Sequence, residues 1–204
     1  CGSIPLDKGT ILINNQKINT LKEFERYKTI GRVYQDPSKG TCPTMTILEN
    51  MSLADNKNRS FNLSWGTNKK RIDYYKELLS QLNLGLEDKL GVKVGLLSGG
   101  QRQAMALLMT TMSPIEILIL DEHTAALDPK TAEIIMELTN NIVKKKKITT
   151  LMVTHNLMHA LHYGNRLIMM HEGNAIMDLN EQDKKSTSVD NILNVFNKIS
   201  LERG

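Results

Sequence analysis

Residues 115–129 read IEILILDEHTAALDP, and this stretch decides which fold the chain can adopt. Five of its first six residues are apolar and several are β-branched, which predicts a strand buried on both faces of a parallel sheet. The strand ends at two adjacent acids, Asp121 and Glu122. Because ligands of open α/β sheets bind beyond the carboxyl ends of the strands, we expect both acids to lie at a binding site.

Two kinds of chemistry suit this pair of acids. An acid at the strand tip can hold Mg²⁺ through its water shell, and the next acid, pointing the other way, can orient or deprotonate an attacking water. Taken alone, the pair is equally typical of an exposed turn. A helix is predicted to follow, because Asp128 and Pro129 make a good N-cap and first helical residue.

Length and composition narrow the class of protein. A chain of 204 residues that is 40% apolar can bury a substantial core, which excludes a disordered protein and fits one α/β domain with a helical insertion. No apolar run approaches the ~20 residues that span a bilayer, so we expect only peripheral contact with a membrane. Neither end carries a signal-peptide core, and Cys1 and Cys42 have no paired or metal-type spacing, which favours a reducing cytoplasm.

The positive charge of the chain raises the alternative of nucleic-acid binding. The net charge is +4, but the basic residues are scattered and aromatic residues make up only 4%. The one dense run, residues 144–147, follows a predicted helix, where cations complement the helix dipole. We therefore expect no nucleic-acid partner.

A second strand tip supplies a polar amide. Residues 30–34 predict a strand that ends at Gln35, Asp36 and Pro37, where the proline blocks continuation. Gln35 is well placed for a site, although a solvated loop residue is the alternative. Between this strand and the acidic one, residues of about 43–114 predict a helical subdomain inserted in the core. Its elements are a helix at residues 46–53, a polar segment with Trp65, and an amphipathic helix at residues 71–83.

Residues 97–103 read LSGGQRQ and precede a helix that is apolar on nearly every side, as expected for a buried helix. Its glycines open the backbone at the helix N-terminus. Free N–H groups, the helix dipole and the Ser98 hydroxyl together predict an anion site, which a nucleotide phosphate requires. A capping turn explains the tripeptide Ser-Gly-Gly, but not the whole heptapeptide shortly before the acidic strand.

A third strand tip carries a histidine. Residues 149–154 read TTLMVT and predict a buried strand that ends at His155, which can donate a hydrogen bond to a phosphate oxygen. A metal site of His155, His159 and His162 is disfavoured, because His155 ends a strand and need not share a helical face with the others. The remaining predicted elements are a strand and turn at residues 10–15, a hairpin at residues 166–179 and an amphipathic helix at residues 189–199.

Five motifs occur in the order typical of ABC-type ATPases: Gln35, LSGGQRQ, ILILDE, ALD and His155. The chain resembles this family over nearly its whole length. Longer segments such as GRVYQDPSKGT and LDEHTAALDPKTA are similar to segments of the ATP-binding subunits of bacterial importers related to tryptophan and tyrosine uptake. The resemblance implies an α/β fold with an ABC-ATPase (P-loop NTPase-like) core, a mostly parallel sheet and a helical subdomain, in one domain over residues 1–204.

The resemblance also assigns roles to residues. The residues so assigned are Glu122, His155 and Gln35 for catalysis, Asp121 and Gln35 for the metal, and Ser98, Gly99, Gly100, Gln101 and Asp128 for the nucleotide. The implied cofactors are ATP and Mg²⁺. The implied partners are a second ATP-binding subunit in a head-to-tail dimer and the membrane permease subunits, with the chain peripheral on the cytoplasmic face of the membrane.

Three departures from the family pattern stand out. His123 stands where a proline is most common in the family, directly after the glutamate. Ala104 stands where a basic residue is usual, directly after the LSGGQRQ signature. Both residues match the narrower importer subgroup. The pattern G-x-x-x-x-G-K-[ST] does not occur in the sequence, so the phosphate cradle, its lysine and the Mg²⁺-binding hydroxyl of a P-loop are missing. We therefore expect a chain that is incomplete at its N-terminus and lacks the first strands of the family fold.

The expected function is that of an ATP-hydrolysing subunit of an ABC importer, with an amino acid as the expected solute. One alternative is a non-hydrolysing fragment or pseudo-ATPase that acts only as a dimerisation partner. Another is a soluble ABC protein of translation or DNA repair. That alternative is disfavoured because such proteins usually carry two cassettes or extra inserted domains.

Overall fold

The fold is that of a computed structural model that describes residues 1–57 and 66–201, with side chains up to residue 197. Trp65 of the predicted polar segment and the side chain of Ile199 lie outside the described residues. The chain divides into two compact units, residues 1–153 and 154–204.

The first unit contains five strands and five helices within its described residues. In chain order these are β1 (Leu12–Ile13), β2 (Gln16–Lys17), α1 (Glu23–Arg26), β3 (Ile30–Val33), α2 (Ile47–Asp55), α3 (Ile72–Ser80), α4 (Gly99–Met112), β4 (Ile117–Asp121), α5 (Pro129–Lys146) and β5 (Thr149–Val153). Short 3-10 turns lie at Pro37–Gly40, Lys69–Arg71 and Val94–Leu96.

A parallel three-stranded sheet in the order β3-β4-β5 forms the centre of this unit. Val33 lies opposite Leu120, and Asp121 lies opposite Val153. The carboxyl ends of the strands therefore meet at one edge of the sheet, as the sequence predicts. β1 and β2 form a separate antiparallel hairpin whose turn residues, Asn14 and Asn15, have the positive φ angles that such a turn needs.

The two faces of the sheet are buried to different extents. On one face Leu118 and Leu120 of β4 are fully buried against α4 and α5. On the other face Ile119 is only partly buried, next to the cluster around the β1–β2 hairpin. In β5 the side chains of Leu151 and Val153 are 56% and 48% exposed. The predictions of burial on both faces for β4 and of a buried β5 are therefore wrong, because α4 and α5 cover only one face.

The helices begin at the residues that the sequence indicates. Thr46 and Glu49 form a capping box at the start of α2, with the Thr46 N–H donating to the Glu49 carboxylate at 2.7 Å. α3 ends at Ser80, slightly earlier than predicted. α4 is buried on most sides, as predicted. Helices α2, α3 and α4 share one apolar cluster whose fully buried members include Ile47, Met51, Tyr75, Leu79 and Met105.

Within its described residues, the second unit is an antiparallel hairpin with three helices. Its elements are α6 (Leu157–His162), β6 (Leu167–His171), β7 (Asn174–Leu179), α7 (Glu181–Ser186) and α8 (Val189–Leu201). The hairpin and the last helix match the prediction. Buried Lys184 donates to the carbonyls of Tyr163 and Gly164, which satisfies its ammonium group below the surface.

Across the described ranges, the helices are all too short or too polar to cross a lipid bilayer.

Candidate functional site

The two acids of the sequence motif lie at the carboxyl edge of the sheet. Asp121 is the last residue of β4, and Glu122 follows it with φ +45°, in the left-handed region that non-glycine residues rarely adopt. Two backbone hydrogen bonds hold this turn. The Glu122 N–H donates to the Val153 carbonyl at 3.0 Å, and the Glu122 carbonyl accepts from the Ala125 N–H at 2.9 Å.

Asp121 is paired with an arginine from the neighbouring strand. The Arg32 Nη2 group donates to Asp121 Oδ2 at 2.6 Å, in a pair whose side chains are 26% and 39% exposed. Arg32 lies opposite Ile119 in the parallel register, so its side chain shares a sheet face with Asp121. The hydrogen bond from Arg32 to Asp121 is the main reason that the pKa of Arg32 is raised. Sequence reasoning missed this residue.

Gln35 lies beyond β3 on a cleft of about 340 Å³. The residues that line this cleft are Gln35, Asp36, Pro37, Gly99, Arg102, Ala126 and Leu127. The structure thus brings together the end of one strand, the start of α4 and the loop that precedes Asp128. Two of the predicted site residues, Gln35 and Gly99, share this cleft.

Arg102 gives the cleft a positive charge that the sequence analysis did not single out. Its Nε atom is buried and has no hydrogen-bond partner within residues 1–57 and 66–201. It lies in the first turn of α4, where the helix dipole also favours an anion. The available signal was the arginine of the LSGGQRQ motif, directly after Gln101.

Ser98 and Gln101 are engaged with each other at the start of α4. The Ser98 hydroxyl accepts from the Gln101 N–H at 3.2 Å, and the Gln101 side-chain oxygen accepts from the Ser98 N–H at 3.1 Å. These two hydrogen bonds form a capping box, so the alternative of a capping turn describes the local geometry at Ser98. The first N–H groups of a helix have no intrahelical acceptor, which leaves those of Gly99 and Gly100 for an anion.

Gly100 is buried where α4 crosses α5. A Cβ atom built on Gly100 would lie 2.3 Å from the Cγ2 atom of Thr131, a separation that no real side chain tolerates. At Gly99 the same construction meets Leu127 at 3.4 Å, an ordinary contact. Gly100 is thus required for close packing between two helices of its own chain.

Asp128 caps α5. Its Oδ1 atom accepts from the Thr131 N–H at 3.0 Å, and Pro129 occupies the first turn, as predicted. Hydrogen bonds from the Thr131 side chain and backbone lower the pKa of Asp128. The Asp128 side chain is nevertheless exposed, so the carboxylate is also accessible from outside the chain.

His155 is an exposed residue of the second unit, two positions after the end of β5. The next residue, Asn156, caps α6 by accepting from the His159 N–H at 3.1 Å. His159 is buried in that helix, whereas His155 precedes it. Across the described parts of the chain, no three acidic, histidine or cysteine side chains cluster in a way that could hold a metal ion.

The acidic edge suits a metal that is shared with a nucleotide. Mg²⁺ is usually bound by one or two carboxylates together with waters and substrate phosphates. Asp121 offers such a carboxylate, with Glu122 next to it, although Oδ2 of Asp121 already accepts from Arg32. Gln35 can add an amide oxygen from the adjacent strand tip. The donor set therefore fits Mg²⁺ held mainly through phosphate, with only weak binding of a divalent cation by the protein groups alone.

Comparisons with known proteins identify the class. The family model for ABC transporters matches residues 1–125. A tyrosine transport ATP-binding protein of Clostridioides difficile is 47% identical over 195 residues, which cover 96% of this chain and 77% of that protein. A methionine import ATP-binding protein of Lactobacillus johnsonii is 31% identical over 177 residues, which cover 86% of this chain and 48% of that protein. The solved dimeric structure of an ATP-binding cassette bound to ADP and Pi has a TM-score of 0.69 and 29% identity, over 86% of this chain and 74% of that one.

The chain therefore belongs to the ABC transporter family. It is an ATP-binding subunit of the ABC ATPase class, with the α/β fold of the cassettes it resembles. The predicted family, fold class and enzyme class are confirmed. The roles of individual residues stay predictions.

Proposed function

We propose that this chain is the ATP-hydrolysing subunit of an importer that takes up an amino acid, with an aromatic amino acid as the first candidate. The observation that carries this proposal is the 47% identity to a tyrosine transport ATP-binding protein, which extends over 96% of this chain.

In the proposed site, each polar group at the sheet edge has one task. Asp121, assisted by Gln35, holds Mg²⁺, and Glu122 orients and deprotonates the attacking water. The role proposed for His155, on the family resemblance alone, is to donate a hydrogen bond to the terminal phosphate. When bound, Mg²⁺ would neutralise charge on the phosphates. The adjacent positions of Asp121 and Glu122 at the end of β4 support this division of labour.

We further propose that two ATP-binding subunits pair head to tail, so that each nucleotide is contacted by both chains. The residues proposed to contact the nucleotide are Ser98, Gly99, Gly100, Gln101 and Asp128. Ser98 and Asp128 are exposed, and Gly99 lies on a cleft beside the positive charge of Arg102, which supports an anion approaching from outside. Gly100 is expected to act mainly by allowing close packing of α4.

The proposed partners are membrane permease subunits, which the chain meets from the cytoplasmic face of the membrane. We propose that residues 1–204 belong to one ATP-binding domain, in which residues of about 43–114 form the helical subdomain. The shared apolar cluster of α2, α3 and α4 supports such a subdomain, since those helices pack on one another.

Uptake by cells tests the proposed function. Disruption of the gene should reduce the uptake of labelled tyrosine, tryptophan or methionine and leave that of labelled xylose unchanged. The intact gene should restore uptake. A Glu122→Gln copy should not, since a positioned base is worth ~10²–10⁴ in rate. A Glu137→Gln copy, altered at an exposed glutamate of α5, is the matched control and should restore it. Normal uptake of all three amino acids after disruption would contradict the proposal.

A further inference from the structure

The pairing of Arg32 with Asp121 concerns the very carboxylate that is proposed to hold the metal. Arg32 Nη2 lies 2.6 Å from Asp121 Oδ2, a charge-assisted hydrogen bond at the short end of the usual range. Both groups are only partly exposed, so water screens the pair less than it would on an open surface. A divalent cation bound to the Asp121 carboxylate would lie close to this guanidinium, and the two positive charges would repel each other.

The arginine is held in place by more than this one bond. Its guanidinium carbon lies 4.5 Å from the centre of the Tyr34 ring, which is a cation–π contact. A hydrogen bond with the Tyr27 side chain also contributes to its raised pKa. Arg32 therefore keeps favourable contacts when it releases the carboxylate, because the two aromatic side chains remain beside it.

We propose that Arg32 is an internal counter-ion that competes with a divalent cation for the Asp121 carboxylate. The inference rests on the proposed role of Asp121 as a metal ligand. Arg32 acts through Asp121 and is thus a positioning residue. It holds the carboxylate neutralised and correctly oriented before the metal arrives, and it weakens metal binding until the phosphates of a nucleotide add their own ligands.

The positive charge of Arg32, rather than its bulk, is expected to weaken metal binding. Binding of Mn²⁺, used as a probe for Mg²⁺, tests this expectation. The amount of free Mn²⁺ is followed by electron paramagnetic resonance during titration of the 204-residue chain. Arg32→Met removes the charge and keeps most of the length. We expect it to tighten Mn²⁺ binding at least ~10-fold, since two unit charges at such a separation interact strongly even at an effective dielectric of about 20. Arg32→Lys keeps the charge but loses the planar guanidinium that stacks on Tyr34, so its affinity for Mn²⁺ should lie closer to that of the parent than to that of Arg32→Met.

Two further variants separate this role from other effects. Arg166→Met is the matched control, because Arg166 also pairs with an aspartate, Asp178, through two exposed hydrogen bonds. It changes the net charge equally and should leave the affinity for Mn²⁺ within about twofold. Adding Asp121→Asn to Arg32→Met should abolish the gain. If thermal unfolding shows that Arg32→Met does not fold, Arg32→Gln replaces it.

The outcomes are distinct. No gain for the neutral Arg32 variants, or an equal gain for Arg166→Met, overturns the inference. A gain that Asp121→Asn does not reverse also overturns it, because the metal then binds elsewhere. If Asp121→Asn alone weakens Mn²⁺ binding and Arg32→Met has no effect, Asp121 stays a metal ligand and only the role of Arg32 fails. None of these results depends on the solute, which the uptake experiment tests separately.

Discussion

His123 donates a buried hydrogen bond to Thr139, with 3.1 Å between His123 Nε2 and Thr139 Oγ1. The direction follows from the other bond of this hydroxyl, which donates its single proton to the Ile135 carbonyl at 2.7 Å. The Nε2 atom of His123 must therefore carry a proton. The bond ties the turn that follows Glu122 to the middle of α5.

We expect Thr139→Val to lower the free energy of unfolding by ~1–3 kcal/mol, because the isosteric valine leaves the buried Nε2–H of His123 without its acceptor. Thr139→Ser keeps the hydroxyl and should cost only the lost methyl group, about 1 kcal/mol, which is less than the loss expected for valine. Urea denaturation of the two variants and the parent measures both costs. Equal losses for valine and serine would contradict the hydrogen bond to Thr139.

Gly100 and Thr131 define the closest approach of α4 to α5. Gly100→Ala should destabilise the chain by ~1–3 kcal/mol, because the new Cβ atom would lie 2.3 Å from the Thr131 methyl group. Combining it with Thr131→Ser removes that methyl group and should recover most of the loss. Gly99→Ala, with its ordinary contact at 3.4 Å, is the control and should change stability by less than about 1 kcal/mol.

Thermal or urea unfolding of the single and double variants gives the coupling between positions 100 and 131. The expected coupling is at least ~0.5 kcal/mol in favour of the double variant. Strict additivity would show that Gly100 is not required for packing against Thr131. Its proposed contact with the nucleotide would then be its one remaining role.

Local signals in the sequence predicted the elements, whereas contacts that depend on register were out of reach. Asn14 and Asn15 predict their turn because both tolerate positive φ, and Asp128 followed by Pro129 predicts the start of α5. The Arg32–Asp121 pair depends on how β3 lies against β4, which no local pattern encodes.

The burial of the strands also could not be predicted from local sequence. The apolar residues of β4 predict burial on both faces, but burial depends on which helices cover the sheet. α4 and α5 cover the face of Leu118 and Leu120, and the opposite face is left partly open at Ile119 and Leu151. The role of Gly100 was likewise hidden, because a signature motif suggests a ligand and gives no indication of a helix crossing.

The cap at Asp128 predicts a pH dependence of stability. Hydrogen bonds from Thr131 lower the pKa of Asp128 in the folded chain, so the cap contributes its full stability above the unfolded pKa of about 3.9. That contribution is lost as the pH falls through the lower, folded pKa. Asparagine also caps helices but does not titrate in this range. The stability of the parent relative to Asp128→Asn should thus be constant above about pH 5 and decrease towards pH 3.

Urea midpoints of the parent and Asp128→Asn, measured at several pH values, check this expectation. Asp7→Asn, which alters an exposed aspartate outside the helices, is the control. The prediction is wrong if the difference between the parent and Asp128→Asn is the same at pH 3 as at pH 6, or if it grows on acidification.

The proposed head-to-tail dimer makes Ser98 a sensitive position. Ser98 is exposed at the start of α4, where the phosphate of a nucleotide held by the other subunit is proposed to lie. The few N–H groups and the dipole of this helix end are worth only ~0.3–2 kcal/mol for an anion, far below the roughly 7 kcal/mol of tens-of-micromolar binding. Because residues 1–204 contain no P-loop pattern, this stretch alone should bind ATP very weakly. It should form an ATP-dependent heterodimer with a subunit that carries a P-loop.

Ser98→Arg should weaken that heterodimer at least ~10-fold, because the bulk and the long side chain of arginine would occupy the phosphate position. Ser98→Ala loses the helix cap, at about 1 kcal/mol of stability, but leaves the position open and should still dimerise. Ser80→Arg places the same side chain at the exposed end of α3 and is the matched control. Sedimentation velocity with and without ATP measures all three. Unchanged heterodimer formation by Ser98→Arg, or tight ATP binding by the isolated chain in calorimetry, would place the nucleotide away from the start of α4.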